Sequence, residues 1–325
     1  MAASYFVDKI WPSMSGSDTE LVIDPLLVWM EINSFIKGSR EALEKRCGYL
    51  DQNEYEELGR KMAPYFSGNR KEIYKLFQKY EKFLRDHRYS KQHIFDECEF
   101  VHNLYQRLDK NVPWSIHVLY VDEVQDFTQA ELSLLLSCCR CPNGHFMTGD
   151  TAQCIMRGIS FRFKDLKTIF YNAKVSSRKL KSEVQVTDPK LKKLTITFRS
   201  DSGVLRLAAS VVDILAHFFP ASFDSDLPHD RAMFDKPESV PVLLQLCGDN
   251  TNDLAVIMYG NRRDASNFQF GAHQAVIVQS EKAKQEAKAF LSGNILTVYE
   301  AKGLEFDDVL LYNFFKYSKV STCVE

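Results

Sequence analysis

The sequence predicts an α/β protein with parallel strands, preceded by an all-helical stretch, and three observations carry that expectation. Residues 118–121 read Val-Leu-Tyr-Val, an apolar run that stops at two adjacent carboxylates, Asp122 and Glu123. A strand of an open parallel sheet has this character, because both of its faces are covered and ligands collect beyond its carboxyl end. A second short run, Phe146-Met147-Thr148, breaks into Gly149-Asp150-Thr151-Ala152-Gln153, a glycine turn bearing a carboxylate and an amide. Farther on, Ala275-Val276-Ile277-Val278, residues 295–298 and residues 309–312 are strand-length apolar runs between helical stretches.

The elements follow in order. Residues 1–112 are expected to be a helical subdomain. Asp24-Pro25 opens a helix at Leu26 cleanly, since proline is pre-shaped for the first helical position. Residues 72–85 form an amphipathic helix with Tyr74, Phe77, Tyr80 and Phe83 at helical spacing, which makes the aromatics core and the accompanying lysines and arginines a solvated face. Residues 113–190 alternate strands and helices. Residues 176–193, rich in lysine and poor in apolar side chains, read as an exposed connection. Residues 191–325 begin a second α/β lobe, with residues 204–219 as an apolar helix.

Composition narrows the class. The 325 residues suffice for two or three domains, and 45% hydrophobic with 26% charged residues permits a sizeable core. The longest apolar runs are strand-sized, so no membrane span is expected. Asp8 and Lys9 stand where a secretory leader needs apolar residues, and the 8 cysteines are dispersed, so an intracellular protein with reduced thiols is expected. Cys138 and Cys141 have metal-ligand spacing with His145 nearby, but a helix end packing small thiols inward explains them as well. A net charge of -2 gives no global footprint for nucleic acid.

Taken in order, the Asp122-Glu123 strand end, Gly149 to Gln153, Thr195 to Ser200 and Leu296 to Phe306 resemble motifs II, III, IV and V of the UvrD/Rep-like superfamily 1 helicases, over about residues 118–315. The resemblance implies P-loop NTPase (RecA-like) helicase lobes, the first incomplete, with the N-terminal helical subdomain inserted in it. It implies ATP and Mg²⁺ as cofactors, hydrolysis coupled to movement on single-stranded DNA or RNA, and a larger parent protein. Two parts of that machine are missing. No Gly-Lys dipeptide occurs, so there is no Walker A loop, and no arginine follows Arg263 to act as a finger. The expectation is therefore a truncated motor core, inactive in hydrolysis on its own.

By the resemblance, Asp122 holds Mg²⁺ through water, Glu123 is the general base, Gln153 senses the γ-phosphate, Arg199 reaches it from the second lobe, and Glu305 contacts the nucleotide. Phe161 and Arg162 after motif III, with Thr297 and Lys302 in motif V, would meet the nucleic acid. The alternative is a helicase-like core that has decayed into an ATP-independent interaction scaffold.

Overall fold

The computed structural model describes residues 3–15, 23–64, 66, 68–87, 96–108, 116–139, 141, 143–154, 162–163, 165–171, 187, 189–220, 229–233, 240–243, 273–289, 291 and 293–314. The chain divides into two compact units, Met1–Pro241 and Val242–Glu325.

The first unit begins with helices: α1 (Ala3–Tyr5), α2 (Trp11–Ser15), α3 (Pro25–Glu31), α4 (Arg40–Glu44), α5 (Gln52–Met62), α6 (Arg70–His87) and α7 (Glu97–Arg107). Phe6–Ile10 and Ile32–Ile36 are π-helical. Local chemistry sets the boundaries. Asp24 accepts from the Leu26 amide 2.9 Å away and places Pro25 in the first turn of α3. Asp51 and Glu54 form a reciprocal capping box at α5. Arg70 closes the other end of α5 by donating to the Gly59 and Ala63 carbonyls at 3.0 and 3.1 Å. A Cβ at Gly59 would fall 2.2 Å from the Arg70 Nε, so glycine is required for that approach.

These helices enclose an aromatic core of Phe6, Trp29, Phe35, Tyr55, Tyr74, Phe77 and Tyr80 with Ile10, Ile32, Ile36 and Ile73. Three ionisable groups, Lys37, Asp96 and Glu31, are buried with it. Lys37 pairs with Glu81 at 2.6 Å and with Asp96 at 2.7 Å, and Tyr80 donates to Asp96 at 3.1 Å. Burial alone would pull the Lys37 ammonium down, but Asp96 and Glu81 raise it, and Lys37 in turn holds Asp96 below the ordinary carboxylate range against its own burial. Glu31, wholly buried, is pushed the other way: burial raises it despite the Tyr55 hydroxyl, which donates to it at 2.6 Å, and Arg70.

Beyond these helices the first unit contains α8 (Gln129–Ser137), the strands β1 (Leu119–Val121) and β2 (His145–Met147), β3 (Ile196–Thr197) and β4 (Arg231–Ala232), and the helix α9 (Ser202–Phe218). β1 pairs with β2 and β3 with β4, both in parallel, as separate two-stranded sheets. The second unit holds a parallel sheet in the order β6 (Ile295–Thr297), β5 (Gln274–Val278), β7 (Asp308–Leu311), with α10 (Glu281–Lys288) and α11 (Val298–Ala301). Val276, Val278, Ala283, Ala287, Leu291 and Ile295 are its core.

This corrects the expected fold class. The described residues are mostly helical, and their strands form short parallel pairs and one small sheet instead of the doubly covered sheets of RecA-like helicase lobes. The reason is visible in the run that prompted the expectation. A strand buried on both faces hides every side chain, whereas Val118 and Tyr120 are 52% and 74% exposed, and only three residues of the run pair as strand. Phe146 on β2 is likewise exposed and meets Tyr120 with ring centroids 5.8 Å apart.

Candidate functional site

The acidic loop after β1 is the most highly organised polar feature of the described residues. Thr148, next after β2, donates from its Oγ1 to Asp122 Oδ1, and the same oxygen accepts from the Glu123 amide at 2.9 Å. The Thr148 hydroxyl, and then that amide, hold the Asp122 carboxyl below its usual range. Glu123 has φ 52 and ψ 43, the left-handed region, which a non-glycine residue occupies only when its surroundings hold it there.

What holds it is Gln125, fully buried beneath the loop. Its Nε2 donates to Glu123 Oε2, and its Oε1 accepts from the Asp150 amide at 3.0 Å. A Cβ on Gly149 would lie 2.5 Å from that Oε1, so the glycine admits the amide. Asp150 accepts from the Ala152 amide and from Gln153 Nε2, both at 2.9 Å. One buried amide thus joins Asp122, Glu123 and Gln153 into a single hydrogen-bonded network across the ends of β1 and β2. Sequence reasoning missed Gln125, whose only signal was a polar residue two positions after the acidic pair.

As a metal cradle the network is spare. Asp122 Oδ1 is already taken twice, and among the described residues no group of three or more His, Cys, Asp or Glu side chains is placed to hold a metal ion. The described Cys138, Cys139, Cys141 and His145 form no such group either. Cys139 turns its thiol toward the carbonyls of His117 and Cys141, both at 3.4 Å.

The remaining candidates lie elsewhere. Arg199 is exposed in a bend after β3, with its amide donating to Thr197 Oγ1 at 3.3 Å. Arg162, expected to meet the nucleic acid, is buried in a two-pronged ion pair with Asp165, at 2.9 and 3.3 Å, and touches Met62 Sδ. The guanidinium is thus engaged by Asp165 within the fold. Phe161 lies outside the described residues.

In the second unit, Thr297 caps α11: its hydroxyl accepts from the Glu300 amide at 3.4 Å and donates to Glu300 Oε2 at 3.1 Å. Lys284 then donates to both Glu300 oxygens, at 2.5 and 2.6 Å. Lys284, followed by the Thr297 amide, lowers the Glu300 carboxyl to about 2. Lys302 closes the same turn, donating its amide to Val298 at 3.1 Å, and Glu305 is exposed just beyond Gly303, whose φ is 77°.

No family model matches the chain. Among curated proteins, a human protein is 47% identical over 314 residues, which is 95% of this chain. That protein is TPR and ankyrin repeat-containing protein 1. The chain is homologous to it and spans about a tenth of its length. The match corrects the expected function. TPR and ankyrin repeat-containing protein 1 is named for repeats, and neither it nor any family model supports a UvrD/Rep-like helicase, nucleotide binding or hydrolase activity. The alternative of an interaction scaffold fits this homology better. Among the described residues no helix is long and apolar enough to cross a membrane.

Proposed function

We propose that this chain is an ATP-independent interaction module of a larger scaffold protein. The observation that carries the proposal is the homology across nearly the whole chain to a tenth of TPR and ankyrin repeat-containing protein 1. Repeats of the kinds in that name stack into extended surfaces that bind other proteins. The chemistry of the residues here is compatible with that role. The carboxylates and amides of the acidic loop are occupied with one another, Arg162 is tied to Asp165, and Thr297 is used as a cap. Such groups rigidify a surface without doing chemistry on a substrate.

The test is nucleotide turnover by the full chain with ATP and Mg²⁺, with and without a single-stranded oligonucleotide, beside the Glu123→Gln variant. Turnover indistinguishable between the two proteins, at the background rate, is expected. Turnover that Glu123→Gln abolishes would overturn the proposal.

A further inference from the structure

We infer that the solvent face of α6 is a docking surface for an acidic helical segment of a partner protein. The inference rests on the scaffold reading and specifies the chemistry of its partner. Along the helix Arg70–His87, the exposed residues Lys71, Lys75, Lys79, Lys82 and Arg85 recur at intervals of three and four. At 3.6 residues per turn they occupy about a third of the helix circumference, and at 1.5 Å per residue they run for about 21 Å. Opposite them, Ile73, Leu76, Phe77, Tyr80 and Leu84 are locked in the core, so the line of charge is held on a rigid backbone.

The charges are only partly answered inside the molecule. Lys75 pairs with Glu72 at 2.8 Å, and Lys79 donates to the Met14 carbonyl at 3.0 Å. Asp86 is the other exposed acid of the helix. Among the described residues no ion pair involves Lys71, Lys82 or Arg85. The whole chain carries a net charge of -2, so this stripe is a local inversion of the protein's own sign.

Three classes of anion would be drawn to it, and the structure favours one. A single strand held by base stacking would need aromatic faces between the cations, but Tyr74, Phe77 and Tyr80 are all turned into the core. Insertion into an anionic membrane as an interfacial helix would need apolar side chains beside the cations, and the described exposed positions of this face hold lysine, arginine, glutamine and aspartate. An acidic helix needs neither. Its carboxylates at three- and four-residue spacing rise about 4.5–6 Å per step, matching the spacing of the cations when the helices lie side by side.

The experiment measures binding of the full chain to a labelled helical peptide bearing glutamate at every third and fourth position, at two salt concentrations. A single-stranded oligonucleotide and vesicles of anionic phospholipid serve as rival probes. The expected result is salt-sensitive peptide binding, weakened at least tenfold by Lys71→Glu/Lys82→Glu/Arg85→Glu, with an unchanged helical circular dichroism spectrum. Single Lys71→Gln and Lys82→Gln variants, each weakening binding a few-fold, guard against a misfolded triple variant. Oligonucleotide or vesicle binding as tight as the peptide's and lost in the same variants would overturn the inference. So would peptide binding indifferent to all of them, or no binding. None of these outcomes bears on ATP turnover, which tests the scaffold reading separately.

Discussion

In the helix Arg70–His87, Ile73, Leu76, Phe77, Tyr80 and Leu84 are buried among other helices, with Lys37, Glu81 and Asp96 paired behind them. In Ser202–Phe218, a helix of nearly equal length, Val204, Leu207, Val211, Ile214 and Phe218 recur at intervals of three and four and are all exposed, and the only buried residue is Gly203. Both sequences carry an apolar stripe at helical period. The stripe states that a face is suited to burial; the covering surface comes from another part of the chain or from another molecule. Where that surface is present, burial is so complete that ions enter the core and must be paired. Where no described residue supplies it, the same pattern leaves large side chains exposed.

The largest expected effect lies on the covered side. Lys37→Met removes the cation that, among the described residues, pairs with Asp96 and Glu81, leaving carboxylates without compensation in the core. A loss of roughly 3–5 kcal/mol is expected in urea unfolding, because a buried charge without its partner is costly. A change below about 1 kcal/mol would show that water reaches this pair and that the core is looser than its packing. Gln125→Ala should cost less, about 1–3 kcal/mol, by stranding the Asp150 amide beneath the acidic loop. Hydrogen exchange at Asp150, faster in the variant, checks the mechanism as well as the size.

Within the covered region, two carboxyls respond to pH with opposite signs. Asp96 is lowered in the fold, so its contribution is present above its unfolded value and is lost as pH falls through the folded one. Glu31 is raised, so the folded state is favoured while it is protonated and loses that advantage as pH rises through its folded value, above 4.5. Thermal unfolding of Glu31→Gln should therefore gain on the parent as pH climbs above 4.5. Parallel pH profiles would mean that Glu31 is solvated in the native ensemble.

The smallest effect is expected on the uncovered helix: Ile214→Ser should change stability by about 0.5 kcal/mol or less, as exposed substitutions do. A loss above about 2 kcal/mol would erase the comparison by showing that this face is packed in solution.

The legible features were those set by neighbours in sequence. The Asp24-Pro25 start, the division of α6 into aromatic and basic faces, and the carboxylates at the end of β1 can all be read from a few consecutive residues. Lys37 with Asp96 and Gln125 with Asp150 were not legible, because each pair is joined only by folding and neither position departs from ordinary polar composition. The RecA-like expectation failed for a related reason. Short apolar runs fit buried strands, exposed strands or helix faces alike, and a resemblance of motifs supplied an architecture that the runs themselves did not determine. Thr297 illustrates the same point at one residue: its type suited a phosphate contact and equally suited the helix cap it forms.

The π-helical turn Ile32–Ile36 makes this part of the chain sensitive to length. Its closing bond runs from the Lys37 amide to the Ile32 carbonyl at 2.9 Å, enclosing one residue more than an α-turn would. Each residue turns a helix by about 100°, so the additional one sets the compass bearing on which Lys37 leaves α3. Deleting any single residue between Ile32 and Ile36 would let the turn relax to α-geometry and swing that ammonium away from Asp96 and Glu81. A substitution here changes what the helix is made of, whereas a one-residue deletion changes where its charge arrives.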